Sequence, residues 1–339
     1  MNVDFVATLV KMAITLGLLL NVVPVMVWVE RRGSAFIQDR PGPNRLGPLG
    51  LFQALADAVK FIFKEDVTPT AADRPLYLAA PVLALLPALT TFTVIPFGPD
   101  LVVNGHTIPL VVSSADAGVL LFLALSSLGV YGIVMAGYAS NNKFSLLGSI
   151  RASAQLISYE LALTLAVVAV VMPVGSFRLA DVVAYQRAHV WNFIPQVLGF
   201  LVFLVASFAE TNRLPFDLPE AESELIAGFH TEYSAMRFAT FFMAEYISMT
   251  SLSALGVTLY FGGWSLPGVH LSHGWGGAIL GLMILMAKVA VALGVFVWVR
   301  WTFPRFRYDQ LMRLGWKVLL PIAIVNLIVV AALTIAGVL

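Results

Sequence analysis

The chain has 339 residues, is 59% hydrophobic and only 12% charged, and carries a net charge of +1. A soluble protein of this size carries about 25% charged residues, so this composition, with a mean hydropathy of +0.89, excludes a soluble globular domain and describes an integral membrane protein. The absence of cysteine excludes disulfides, cysteine-ligated iron–sulfur clusters and thiolate nucleophiles from this chain.

A helix needs about 20 apolar residues, at 1.5 Å each, to cross roughly 30 Å of hydrocarbon. Eight stretches have that length, approximately 5–29, 76–97, 115–138, 153–173, 191–209, 237–261, 276–299 and 316–338. The first is long for a signal-peptide core and lacks a small-residue cleavage site, so it reads as a span. The second contains Pro81 and Pro87, which are expected to kink or end-cap it. The expected fold is an all-α polytopic membrane protein. One membrane domain covers 1–339, with eight transmembrane helices and a short amphipathic interface helix in the first inner loop.

Eight spans place both termini on one side. The first, third, fifth and seventh loops hold 16 of the 20 basic residues, whereas the opposite face has Lys11, Arg178 and Arg187. The positive-inside rule makes the charged loops cytoplasmic and both termini external. Fifteen of the nineteen acids lie on the same inner side, all but Asp4, Asp100, Asp116 and Asp181. Acids contribute little to orientation, so a face rich in both signs suits docking of a charged soluble partner.

The first inner loop, Glu30 to Pro75, turns at Pro41-Gly42-Pro43 and then shows helical periodicity from Leu49 to Lys64. Leu51, Phe52, Leu55, Val59, Ile62 and Phe63 share one face; Gln53, Asp57, Lys60 and Lys64 lie largely on the other. Such a helix either lies flat at the interface or packs within the domain. The outer loops Gly98–Pro109 and Gly175–His189 read as structural, and His270 and His273 as exposed loop histidines rather than a metal pair.

Between the fifth and sixth spans, Glu210 to Tyr233 gathers Glu210, Asp217, Glu220, Glu222, Glu224 and Glu232 with Arg213 and His230. Phe216, Leu218, Leu225, Ile226 and Phe229 run through it, so the segment has something to pack against. Three ionisable residues fall well inside spans: Glu160, Glu245 and Lys288. Each costs ~2.5–3.5 kcal/mol even on the lenient insertion scale and must face protein, water or a partner charge. Glu160 and Glu245 lie close enough to the inner face to continue the acidic segment inward as a hydrated, proton-binding path. The alternative is a static interhelical pair, with Lys288 as the candidate partner. The seventh loop interleaves Arg300, Arg305 and Arg307 with aromatics, as a headgroup belt or a partner-docking surface. Nucleic-acid binding does not fit a lipid-embedded body whose bases are matched by acids.

The run from Ala209, Ala-Glu-Thr-Asn-Arg-Leu-Pro-Phe-Asp-Leu-Pro-Glu-Ala-Glu-Ser-Glu-Leu, closely resembles the signature of the H-subunit family of NADH–quinone oxidoreductase (respiratory complex I), equivalent to mitochondrial subunit 1. Further matches are Glu-Arg-Arg at 30–32, Arg-Pro-Gly-Pro-Asn-Arg at 40–45, Gln-Ala-Leu-Ala-Asp-Ala-Val-Lys at 53–60, Ser-Tyr-Glu at 158–160, Phe-Met-Ala-Glu-Tyr at 242–246 and Pro-Arg-Phe-Arg-Tyr-Asp-Gln-Leu-Met at 304–312. They cover nearly the whole chain in order.

The resemblance implies a subunit at the junction of the membrane and hydrophilic arms of a bacterial inner-membrane translocase. With soluble subunits B and D and adjacent small membrane subunits, it would form a chamber for quinone. NADH, FMN and iron–sulfur clusters would sit on the partners, and this chain would bind no cofactor of its own. Arg31, Phe52, Leu55, Val59, Arg213, Asp217 and Tyr246 would line or brace the chamber. Glu160, Glu210, Glu220, Glu222, Glu224, Glu232, Glu245 and Lys288 would be proton-path candidates, and Arg300, Arg305, Arg307 and Asp309 would dock or brace partners. The residues agree with that division, because neither a haem-ligand histidine pair within the spans nor a G-x-G-x-x-G after a strand is present. The competing readings are a membrane anchor of a related energy-converting hydrogenase, a proton-coupled secondary transporter, and a pure scaffold.

Overall fold

The computed structural model describes residues 3–103, 105–219, 222–269 and 271–338. In chain order the helices are α1 (Val3–Ile37), α2 (Gln53–Phe63), α3 (Arg74–Thr91), α4 (Gly118–Ala139), α5 (Lys143–Val174), α6 (Leu179–Ala188), α7 (Val197–Glu210), α8 (Glu222–Leu225), α9 (Ala235–Tyr260), α10 (Trp275–Thr302), α11 (Tyr308–Leu314) and α12 (Leu320–Ile335). A π-helical turn, Gly315–Leu319, joins α11 to α12. The strands among the described residues are three residues each, β1 (Leu101–Val103) and β2 (His106–Ile108), paired antiparallel in a hairpin. The protein is an all-α polytopic membrane protein.

Local sequence sets the helix ends. Asp73 caps α3, accepting from Leu76 N–H, and Pro75 occupies the first turn, where its missing donor costs nothing. Asn142 accepts from Phe144 N–H to start α5, and Gly175, at φ 70°, ends it. Pro81 and Pro87 are both accommodated inside α3.

In lipid, helices associate by close packing rather than by escape from water, which favours small residues at contacts. Gly132 of α4 lies against the Ala84 backbone of α3, where a Cβ would meet its nitrogen at 2.6 Å. Gly256 of α9 receives the Phe203 ring of α7. Helix α5 packs on α4, α7 and α12, and α9 on α3 and α10, around one continuous core from Leu19 to Ala323. From Met249 to Tyr260, α9 is buried at every residue.

Among the described residues, six helical segments are long and apolar enough to cross a membrane: Phe5–Ile37, Arg74–Val94, Gly118–Ala139, Lys143–Val174, Trp275–Thr302 and Tyr308–Ile335. The sequence leads one to expect eight. The fifth stretch yields a 14-residue helix, α7, about 21 Å long at 1.5 Å per residue. Turns occupy 192–196 in its place. The sixth yields α9, 26 residues long, which carries Arg237, Glu245 and many hydroxyls. A helix enclosed by other helices is not required to be as apolar as lipid.

Several boundaries also move. Helix α1 continues to Ile37, α5 begins at Lys143, α10 continues to Thr302 and the last helical segment begins at Tyr308. Glu30, Arg31, Arg32, Arg151, Arg300 and Asp309 therefore stand on helices, not in loops. The loop after α5 contains α6. The bundle has a charged end, formed by the C-terminal end of α1 and the loops around 211–234 and 303–307, and an opposite end, which carries the hairpin and α6.

Candidate functional site

At the charged end, three helices and a loop place ions of both signs around Glu30. Its carboxylate, 7% exposed on α1, accepts from Tyr246 Oη of α9 at 2.6 Å, lies 3.5 Å from Arg213 Nη1 and pairs with Arg300 of α10. Arg213, 4% exposed, reaches Glu245 Oε1 at 2.6 Å through Nε, and its guanidinium lies 4.4 Å from the centre of the Tyr246 ring. Burial disfavours the Arg213 charge, and Glu245, Tyr246 and Glu30 outweigh that effect, holding the guanidinium above its ordinary range. A buried charge pair repays its desolvation only with good geometry and further hydrogen bonds; Tyr246 Oη supplies one such bond to Glu30, while Arg213 Nη2 has no hydrogen-bond partner among the described residues.

The loop after α7 is held in place by its neighbours. Gln155 of α5 donates to the carbonyls of Ala209 and Phe216, each at 2.8 Å, pinning both sides of the 210–216 turn. The Phe216 ring packs on Tyr159 and Phe306, and Phe306 N–H donates to Pro215 O. Asp217 pairs with Arg305 at 2.7 Å. Further along, Gly228 lies so close to Gly148 of α5 that a Cβ on Gly148 would sit 2.8 Å from the Gly228 Cα. Tyr77 and Tyr233 stack with ring centres 4.1 Å apart, Tyr77 Oη donates to Glu232 O, and Tyr233 Oη donates to Tyr77 O. Burial raises the Tyr233 phenol above its ordinary range, so it remains a donor.

Between α3, α4, α7 and α9 lies a cavity of about 90 Å³. Glu210, Glu245, His230 and Asn212 line it together with Ser126 and Ser248, and the rest of its wall is largely apolar, with Phe122, Phe229, Phe241 and Phe242. One Glu210 oxygen, Oε2, is buried with no hydrogen-bond partner among the described residues. Beyond Glu210, Glu160 accepts from Ser127 Oγ of α4 and stands close enough to act electrostatically on Glu210. A void of this size with two carboxylates on an otherwise largely apolar wall has room for water beside them.

The candidate residues thus divide. Glu210 and Glu245 share the cavity, with Glu160 next to them. Glu224 pairs with Arg151, and Glu232 accepts from Asn142 at 2.6 Å, so both are tied to α5 and its cap. Glu220 and the Glu222 side chain lie outside the described residues, as does His270. Arg213 and Asp217 do not pair with each other: one faces Glu30 and Glu245, the other Arg305. Among the described residues Lys288 pairs with no carboxylate. Its ammonium donates to the carbonyls of Phe261, Gly263 and Ser265 near the opposite end. Arg300 and Arg305 turn inward to Glu30 and Asp217, whereas Arg307 and Asp309 are exposed at the start of α11.

Arg31 pairs with Asp57 across α1 and α2. Ala54 and Phe61 seat α2, with Phe61 against Phe238 of α9, so the helix packs on the domain and turns Phe52, Leu55, Val59, Ile62 and Phe63 outward. Arg32 and Trp28 both donate to Leu49 O, fixing the turn that leads into α2.

Sequence reasoning missed Glu30 as the hub, Ser127 as the partner of Glu160, Gln155 as the pin of the loop and His230 as cavity lining. Glu30 carried a signal: a carboxylate at the last apolar turn of a span, next to two arginines, is costly unless it turns inward. Among the described residues no group of three or more His, Cys, Asp or Glu could hold a metal ion.

The family model described as NADH dehydrogenase matches residues 10–331. The H subunit of the NADH-quinone oxidoreductase of Deinococcus radiodurans is 52% identical over 328 residues, covering 96% of this chain and 82% of its own length. The H 1 subunit of the Geobacter metallireducens oxidoreductase is 49% identical over 326 residues, 96% of each chain, and that of Cytophaga hutchinsonii 48% over 308 residues, 90% of each. With motifs, the family model and near full-length similarity in agreement, the chain belongs to the family of NADH–quinone oxidoreductase H subunits.

Proposed function

We propose that this chain is the membrane subunit of a proton-pumping NADH–quinone oxidoreductase of a bacterial inner membrane. It lines the quinone chamber and couples quinone reduction to proton translocation through its carboxylates. The observation that carries the reading is the run of contacts Arg300–Glu30–Arg213–Glu245, which ends on a cavity shared with Glu210. A change of charge near Arg213 alters the balance at Glu245, and Glu245 faces the same void as Glu210. The outward apolar face of α2 supplies a greasy surface beside that network for an isoprenoid tail. Electrons stay on partner subunits, among them the soluble subunits B and D.

Eight crossings accommodate this reading. Helix α7 with the 192–196 turns makes the fifth and α9 the sixth, which puts the charged end in the cytoplasm and both termini outside. All of this forms one membrane domain.

The test is Glu245→Gln in the assembled complex, with quinone reduction and proton pumping measured on the same vesicles. The amide keeps the shape and loses the charge, so pumping-coupled turnover is expected to fall at least several-fold while assembly persists. Full rates of both reduction and pumping would falsify the carboxylate path.

A further inference from the structure

The opposite end of the bundle holds a feature that the proton path does not use. A hollow of about 690 Å³ opens between the last turn of α6, the 189–194 connection and the 265–269 connection. Among the described residues, Arg187 is the cation on its wall and no carboxylate lines it. The Arg187 guanidinium is held 5.1 Å from the centre of the Trp264 ring and makes no ion pair among the described residues. Under the floor, Lys288 donates to Ser265 O at 2.6 Å and to two further carbonyls, with its ammonium 4.8 Å from the centre of the Trp191 ring. Lys288 makes no ion pair with a carboxylate among the described residues either. One cation, Arg187, therefore stands on the wall of the hollow and a second, Lys288, lies beneath it, held by carbonyl dipoles and a ring.

Charged groups at this end are few, and every base here opposes the orientation signal of the whole chain. Of the other two, Lys11 donates to the Pro109 and Val111 carbonyls and Arg178 faces Asp116. Arg187 also borders the neighbouring hollow lined by Asp100 and Asp181, but on this side no carboxylate among the described residues faces it, which suits an anion. The rim indicates which kind. Val190, Ile194, Leu266 and Val269 are large, apolar and exposed around it, and Val197, Leu198 and Leu201 continue from Ile194 as an exposed stripe down α7. A free ion has no use for that stripe; an acyl chain does.

We propose that this hollow binds an anionic phospholipid from the leaflet at that end. Arg187 would pair with the phosphodiester, Lys288 would contribute its field through the floor, and an acyl chain would run along Ile194, Leu198 and Leu201. A zwitterionic phospholipid carries its own ammonium next to the phosphate and gains less from the two cations.

The experiment uses the assembled complex in nanodiscs containing photoactivatable phosphatidylglycerol or phosphatidylethanolamine with the same acyl chains. Phosphatidylglycerol is expected to label peptides from 184–194 and 265–269. Unlabelled phosphatidylglycerol should displace it at several-fold lower concentration than phosphatidylethanolamine, and inorganic phosphate should not displace it. Arg187→Gln should cut labelling several-fold, and Arg187→Lys should retain most of it. Equal competition by the two lipids, displacement by phosphate, unchanged labelling in Arg187→Gln, or no labelling because polypeptide fills the hollow would each overturn the assignment. Should Arg187→Gln fail to assemble, the wild-type competition series decides alone.

Discussion

At the charged end of the bundle, Glu30, Arg213, Glu245 and Arg300 are packed against one another and against a void. At the opposite end, three buried amides hold the chain together instead. Gln186 donates to Thr258 O and accepts from the N–H groups of Asn192 and Gly262; Asn192 donates to Leu259 O; Gln196 donates to Ala169 O. Both ends must tie loops to helices without water. These amides, with the Lys288 ammonium on three loop carbonyls, do so without a carboxylate, so the carboxylates at the other end are not needed for that task alone. Buried ion pairs are weak contributors to stability relative to neutral packing, which fits the proposed use of charge at that end.

The largest expected effect breaks the charged end at its centre. Arg213→Ala leaves Glu30 and Glu245 short of their shared cation. Removing one partner of a buried pair costs about 3–5 kcal/mol. The yield of assembled complex from membranes should drop sharply, while Arg213→Lys, which keeps the charge but not the fork, should recover part of it. Next is Tyr246→Phe, which removes only the hydroxyl donated to Glu30 and keeps the ring under Arg213. A hydrogen bond to a charged group is worth about 1.5–3 kcal/mol. Assembly should survive, and thermal inactivation of quinone reduction should shift to lower temperature.

The comparison is sharpened by a change of similar size at the amide end. Gln186→Leu strips the partners from Asn192 N–H, Gly262 N–H and Thr258 O. Unsatisfied buried groups cost about 1–3 kcal/mol each. Stability of the assembled complex should fall, but turnover and proton yield per assembled complex should match wild type. A loss of pumping in Gln186→Leu equal to that of Glu245→Gln would remove the functional distinction between the two ends.

What could be read from sequence follows the same divide. Membrane embedding, helical class and the amphipathic α2 come from hydropathy and period, which lipid and interface enforce residue by residue. Glu160 and Glu245 were identifiable because an acid in an apolar run is expensive wherever the chain goes. The pairings were not legible. Nothing local distinguishes Arg213–Glu30, separated by 183 positions, from an Arg213–Asp217 pair four residues apart. Lys288 looked like a counter-ion for an acid because the carbonyls that hold it belong to a loop whose path the sequence does not specify. Helix α9 met the length of a span but not its apolarity, because its neighbours are helices, not lipid. Gly148 gave no signal either, since its significance is the Gly228 backbone lying against it.

The smallest effect on stability separates structure from function most cleanly. Arg31 and Asp57 form a pair on the surface of the charged end, with side chains 47% and 22% exposed. Exposed pairs are worth about 0–1 kcal/mol, less at high salt. Arg31→Ala should therefore leave the melting temperature of the assembled complex nearly unchanged. The same pair joins α1 to α2, and α2 carries the outward row Phe52, Leu55, Val59. If that row guides a quinone tail, loosening α2 should raise KM for a long-tailed quinone several-fold and leave kcat largely intact. A short-tailed quinone, which does not reach the row, should show no change. Equal KM shifts for both quinones would place the effect at the headgroup instead and separate α2 from the tail.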